Sequence, residues 1–261
     1  MLQPPLPQER RIVLEALRRQ VAAIDGTMMA GGEGVGALLP NTDADTRAEA
    51  GGLRLHRLLR HGLHRIEAAY PDRPAAAGFS LALLPQLKGR AVLWVFPALV
   101  EREWGRPFGP GLMRLGWNPG SFVFVRTRRE QEVPWALEEG VRSGAIAAAV
   151  VEASLGFAAQ RRLALLAAEH GILVLLVTGE DEKARGSPVA ARWRVSAGAS
   201  AGDPFDPTAP GLPRWQVDLL RCRIGPPGSW MVEWDRATGS LRLAAGMAPG
   251  TAAADGLRAV G

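Results

Sequence analysis

Four apolar runs restrict the folds open to this chain more than any other feature. They are AVLWVF (91–96), SFVFVR (121–126), AIAAAVVE (145–152) and ILVLLVTGE (172–180). Runs with almost no polar alternation mark strands covered on both faces, the signature of a parallel sheet buried between helices. Between them lie two amphipathic helical patterns. EVPWALEEGVRSG has Pro134 in its first turn and Gly144 past its end, and FAAQRRLALLAAEHG follows the strand that ends in Glu152. An earlier strand, LHRIEAA, and a helix over Ala75–Gln86 precede these. Strands alternating with helices predict an α/β fold with a mainly parallel sheet.

The alternation stops after Asp181. AARWRVSA, RWQVDLLRCR, SWMVEWD and SLRLAA are short alternating segments without helices between them, and they predict antiparallel strands extending one edge of the sheet. The Pro/Gly-rich AGDPFDPTAPGLP is a loop among them. At the other end, Ile12, Leu14, Leu17, Val21 and Ile24 recur at helical spacing. The glycine-dense stretch after them reads as a linker; its GEGVG has neither the preceding strand nor the following helix of a dinucleotide fingerprint. The expected organisation is a helix over 1–25, a flexible linker over 26–61, a core over 62–245 and a disordered tail over 246–261.

Composition narrows the function classes. No apolar run reaches the length of a membrane span, and MLQPPLPQERR lacks the apolar stretch of a secretory signal. The single cysteine, Cys222, excludes an internal disulfide and a cysteine-rich metal site, so a cytoplasmic location is expected. The formal net charge is +5, and only Lys88 and Lys183 are lysine. Arginine suits bidentate phosphate contact, although a GC-rich genome also enriches it. Arg126, Arg128 and Arg129 follow one strand and Arg161 and Arg162 begin a helix nearby. Arg221 and Arg223 alternate in a late strand, as do Arg192 and Arg194. These are the candidate contacts to DNA or a partner; the alternative is a solvated surface. His56, His61 and His64 lack the spacing of a helical zinc site and are expected at the surface. Most of the eight tryptophans, including Trp193, Trp215 and Trp234, should be packing, and any exposed one is a candidate anchor for a partner.

The segment YPDRPAAAGFSLALL reads as a strand-to-helix bend, where many α/β proteins hold phosphates. Against the pattern G-x-x-x-x-G-K-[ST], Gly78 and Ser80 are in register. Phe79 replaces the lysine and Arg73 the first glycine. Phenylalanine offers neither a donor nor a charge, and losing a charged hydrogen bond costs about one to two decades of affinity. Asp72 adds a repulsive charge. Gly78, Phe79 and Ser80 therefore read as a degenerate phosphate-loop position, with no ATP and no metal expected. Glu152, at a strand's C-terminal end, stands where open sheets carry ligand-binding groups.

The segments AAAGFSLALLPQLKGRAVLWV, PWALEEGVRSGAIAAAVVEASLGFAAQRRLALLAAEHGILVLLV and RWQVDLLRCRIGPPGSWMVEWD resemble the ImuA family of RecA-like accessory proteins of inducible mutagenesis. The resemblance implies a RecA-like P-loop NTPase-type core, with Glu152 at the position of the acidic Mg²⁺ partner. It implies a cytoplasmic, nucleoid-associated accessory protein of SOS-induced, error-prone translesion synthesis. Its partners would be an ImuB-type polymerase-like protein and an error-prone DnaE-type polymerase, with RecA and single-stranded DNA as further candidates. Two readings stay open: a non-catalytic scaffold, and a divergent DNA-stimulated ATPase whose lysine comes from elsewhere in the chain or from a partner, with Lys88 too far along the helix to serve and Lys183, after the fourth strand, still available.

Overall fold

The computed structural model describes residues 61–84, 91–180, 188–200, 202, 206, 208–209 and 211–244. The expected N-terminal helix, the tail, His56, Lys88 and Lys183, and all of the expected linker except His61, lie outside the described residues. The strands are β1 (Gly62–Ala68), β2 (Ala91–Pro97), β3 (Phe122–Thr127), β4 (Ile146–Glu152), β5 (Leu173–Gly179), β6 (Ala191–Gly198), β7 (Arg214–Cys222), β8 (Gly228–Asp235) and β9 (Ser240–Leu243). The helices are α1 (Arg73–Leu83), α2 (Ala98–Trp104), α3 (Gly109–Arg114), α4 (Val133–Arg142) and α5 (Phe157–Glu169).

All nine strands form one sheet, in the order β3-β2-β4-β5-β1-β6-β7-β8-β9. β1 to β5 run parallel. The late strands depart from expectation at one junction. β6 joins the sheet parallel to β1, and only from β6 to β9 is the pairing antiparallel. The parallel part of the sheet therefore extends to β6, and its C-terminal edge collects the ends of six strands.

Two apolar layers sandwich the sheet. On one face, α1 and α3 pack Ala76, Phe79 and Leu112 onto Ile66, Trp94, Val150, Leu175 and Trp193. On the other, α4 and α5 pack Val133, Leu137 and Leu163 onto Leu63, Leu93, Ala149 and Val174. Every residue of β1, β2 and β4 is buried; the apolar runs of β2 and β4 require it, whereas β1 also buries His64, Arg65 and Glu67. β3 is an edge strand instead: Arg126 is exposed and Phe124 half-buried, so its apolar run did not mean cover on both sides. α4 ends as its sequence dictates, with Gly144 at φ +70°, a conformation that costs glycine little.

The short helices α2 and α3, between β2 and β3, carry no sustained 3.6-residue stripe, and periodicity does not announce them. The tryptophans anchor the layers. Trp94, Trp117, Trp193, Trp215 and Trp234 are buried. Trp215 Nε1 donates to the Ala75 carbonyl at 2.9 Å, and Trp117 Nε1 to the Leu81 carbonyl at 3.2 Å, so both tie α1 down. No helix among the described residues is long and apolar enough to cross a membrane.

Candidate functional site

The candidate site is the C-terminal edge of the parallel strands, where open α/β sheets bind ligands. Its first element is the turn from β1 into α1. Ala69 leads into a single 3-10 turn, Tyr70–Asp72, and α1 begins at Arg73 with a proline in its first two positions. The turn contains no glycine, so it cannot curl its amides around a phosphate as a glycine-rich loop does. Pro71 and Pro74 have no N–H, and the Arg73 amide already bonds the Tyr70 carbonyl. Little of the anion-binding capacity of a helix start remains.

This start puts Gly78, Phe79 and Ser80 in the body of α1, well past its first turn. Phe79 is fully buried, with its ring 6.0 Å from that of Trp215. A Cβ on Gly78 would lie 3.7 Å from the same indole, an ordinary contact distance, so packing does not demand glycine there. Ser80 Oγ donates to the Ala76 carbonyl at 2.8 Å, one turn back, and is buried. None of the three lies at the helix end. Proline just inside a helix start is the sequence signal that marks this register: in DRPAAAG it moves the beginning of α1 two residues upstream of Ala75.

The cation at the edge is Arg73. It is half-buried, its Nη2 lies 3.4 Å from the Val177 carbonyl at the end of β5, and its Nε is buried with no partner. Burial lowers its guanidinium from the ordinary value, against the charges of Glu152, Glu103 and Glu130 in that order. Glu152 ends β4, is buried, and accepts a hydrogen bond from Trp94 Nε1 at 2.8 Å. Burial pushes its carboxyl above the ordinary range, against the Trp94 hydrogen bond and the Arg73 charge. Sequence reasoning found Glu152 but missed Arg73 as its cation and Trp94 as its donor, because both relations cross between elements.

Three amides along this edge are occupied by the protein's own carboxylates. Glu132 Oε2 accepts the Arg128 amide at 3.0 Å, and Glu130 Oε1 accepts the Ser154 amide at 2.7 Å. Asp72 Oδ1 accepts the Ala197 amide at 2.9 Å. Two loop amides and one near the end of β6 are thus taken internally by acids.

The arginines singled out from sequence do not converge. Arg126 pairs with Glu101 of α2, and Arg128 and Arg129 are exposed in the following loop. Arg161 and Arg162 sit in the second turn of α5, after the helix start at Phe157, and Arg162 pairs with Glu138 of α4 at 3.3 Å. Arg221 is near the end of β7 and Arg223 just beyond it. The antiparallel register sets Cys222 beside Ala191, at the opposite edge of the sheet from Arg126. Arg192 grips the buried Glu67 through two bonds, at 2.6 and 2.8 Å, which leaves it structural. His61 is exposed, but His64 is fully buried inside β1, contrary to the expectation of surface histidines. Cys222 is half-buried and packs on the core. No cluster of metal-ligating side chains occurs among the described residues.

No family model matches the chain. It is similar to Protein ImuA of Caulobacter vibrioides strain NA1000 / CB15N: 34% identical over 203 residues, which cover 72% of this chain and 78% of that protein. Protein ImuA of strain ATCC 19089 / CIP 103742 / CB 15 gives the same figures.

Proposed function

The chain belongs to the ImuA family, and from that premise we propose that it is a non-catalytic accessory protein of inducible, error-prone translesion DNA synthesis. It works by holding partners together, with no bond chemistry of its own. On this reading the core is a RecA-like frame, and the molecule recruits an ImuB-type polymerase-like protein and a DnaE-type polymerase in the cytoplasm. RecA and single-stranded DNA are further candidate partners. The order of elements supports the frame: a strand, a turn and a helix at β1–α1, and a buried acid at the end of β4.

One observation carries the absence of hydrolysis. Asp72, Glu130 and Glu132 take up edge amides, and Arg73 lies among acids at the strand ends. A phosphate entering there meets repulsion from these acids and finds these three amides taken. Hydrolysis needs donors preorganised around the charge that develops in transfer, and the glycine-free β1–α1 turn does not supply them. Glu152 could serve a metal only after giving up its Trp94 hydrogen bond and its place beside Arg73.

The test is phosphate release by the purified full chain with Mg-ATP, with and without single-stranded DNA, alongside co-purification with the polymerase-like protein. The scaffold reading expects background release in both conditions and a stable complex. DNA-stimulated turnover that Glu152→Gln abolishes would establish the alternative, a divergent ATPase.

A further inference from the structure

We propose that the α2–α3 corner is a docking surface for an acidic, amphipathic segment of a partner protein. The inference rests on the scaffold reading only for the kind of partner. The surface itself is argued from exposure and charge.

Large apolar side chains are left in water along this stretch. Leu99 is 60% exposed, Phe108 72% and Met113 57%, all on the stretch that carries α2 and α3. Tyr70 is 66% exposed and brings the β1–α1 turn alongside, its ring 4.6 Å from that of Trp104 at the end of α2. Exposed side chains of this size bring no folding stability, and several on adjoining turns mark an interaction surface. The corner is also pinned. Leu112 is buried under α3, and Trp117, just beyond it, bonds α1. The anchors are therefore presented on a fixed base, as a docking surface requires.

Charge selects the occupant. Arg102, Arg106 and Arg114 are exposed on the same stretch. Glu101 is already shared between Arg106 and Arg126, and these bonds, the one from Arg106 first, hold its carboxyl below the ordinary range. That leaves Glu103 as the exposed acid on the stretch, against an excess of arginine. A partner presenting carboxylates between apolar side chains complements this pattern. A second copy would bring the same positive patch against itself, since a two-fold contact pairs like with like. A nucleic acid fits less well: of these side chains Phe108 alone offers an uncommitted π-face, since Tyr70 packs on Trp104 and Leu99 and Met113 have none for a base.

A random peptide display library panned on the full chain tests this, with subtraction against the variant Tyr70→Ala/Leu99→Ala/Phe108→Ala. All three side chains are more than half exposed, and only Tyr70 gives up a ring contact, with Trp104, so the variant should stay folded and melt slightly below the wild type. The expected result is an enriched set combining aromatic or leucine residues with Asp and Glu. Its best member, synthesised and labelled, should lose affinity about ten-fold with Phe108→Ala and weaken with added salt. Reversing charge with Arg102→Glu/Arg114→Glu should turn the selection toward basic peptides. The proposal is overturned by no consensus, by a basic or purely apolar consensus, or by binding indifferent to these substitutions. It is equally overturned if an oligothymidylate binds at these residues, or if the wild type forms dimers that the triple variant does not. None of these readouts involves nucleotide turnover, so failure here and failure of the scaffold reading are distinguishable.

Discussion

Glu152 shows how one buried group sets a pH dependence. The folded chain holds its proton to higher pH than the unfolded chain, whose carboxyl titrates near the ordinary value of 4.5. Stability from this group is complete below that value and is lost as pH rises through the raised one. Glu152→Gln keeps an acceptor for Trp94 and removes the ionisation. Its melting temperature should gain on the wild type's as pH rises above the ordinary carboxyl value; a gap that stays flat or closes would contradict the account. Phe79 gives the second residue-scale prediction. A reading by spacing makes Phe79→Lys the restoration of a phosphate clamp. With the ring buried against Trp215, the substitution forfeits about 3–5 kcal/mol of packing and strands an ammonium in the core. Denaturant melts should show a severe loss of stability, and no nucleotide binding should appear.

At the scale of elements, close packing constrains the chain where the sequence looks ordinary. A Cβ on Gly140 of α4 would overlap Cδ2 of Leu93 on β2. Gly140→Ala should cost about 1–3 kcal/mol, and shortening Leu93 in the same chain should recover part of it, a coupling that a double-mutant cycle measures. The elements themselves were largely legible. Unbroken apolar composition marked β2, β4 and β5, and Pro134 with Gly144 bracketed α4, because burial and chain geometry act locally there. What escaped was non-local or aperiodic. The parallel docking of β6 on β1 depends on a partner strand distant in sequence, and α2 and α3 are too short to print a period. The register of the β1–α1 turn was in the sequence, in the proline after Arg73, but the spacing of Gly78 and Ser80 competed with it.

For the whole molecule, the sheet separates two kinds of surface. Its C-terminal edge is an internally neutralised site, with loop amides and Arg73 answered by the chain's own acids. The adjoining α2–α3 corner is the reverse, with apolar rings and arginines turned to solvent. Of the site, the sequence showed the acid at the end of β4 and the missing lysine. The answering cation and the occupied amides were not visible, since each needs two loops brought together by the fold. On the proposed reading, the protein acts through its surface and not through nucleotide at its strand ends. Titration calorimetry of the full chain with Mg-ATP tests this most directly. The account predicts no saturable heat up to millimolar nucleotide; a Mg²⁺-dependent, stoichiometric isotherm in the micromolar range would contradict it.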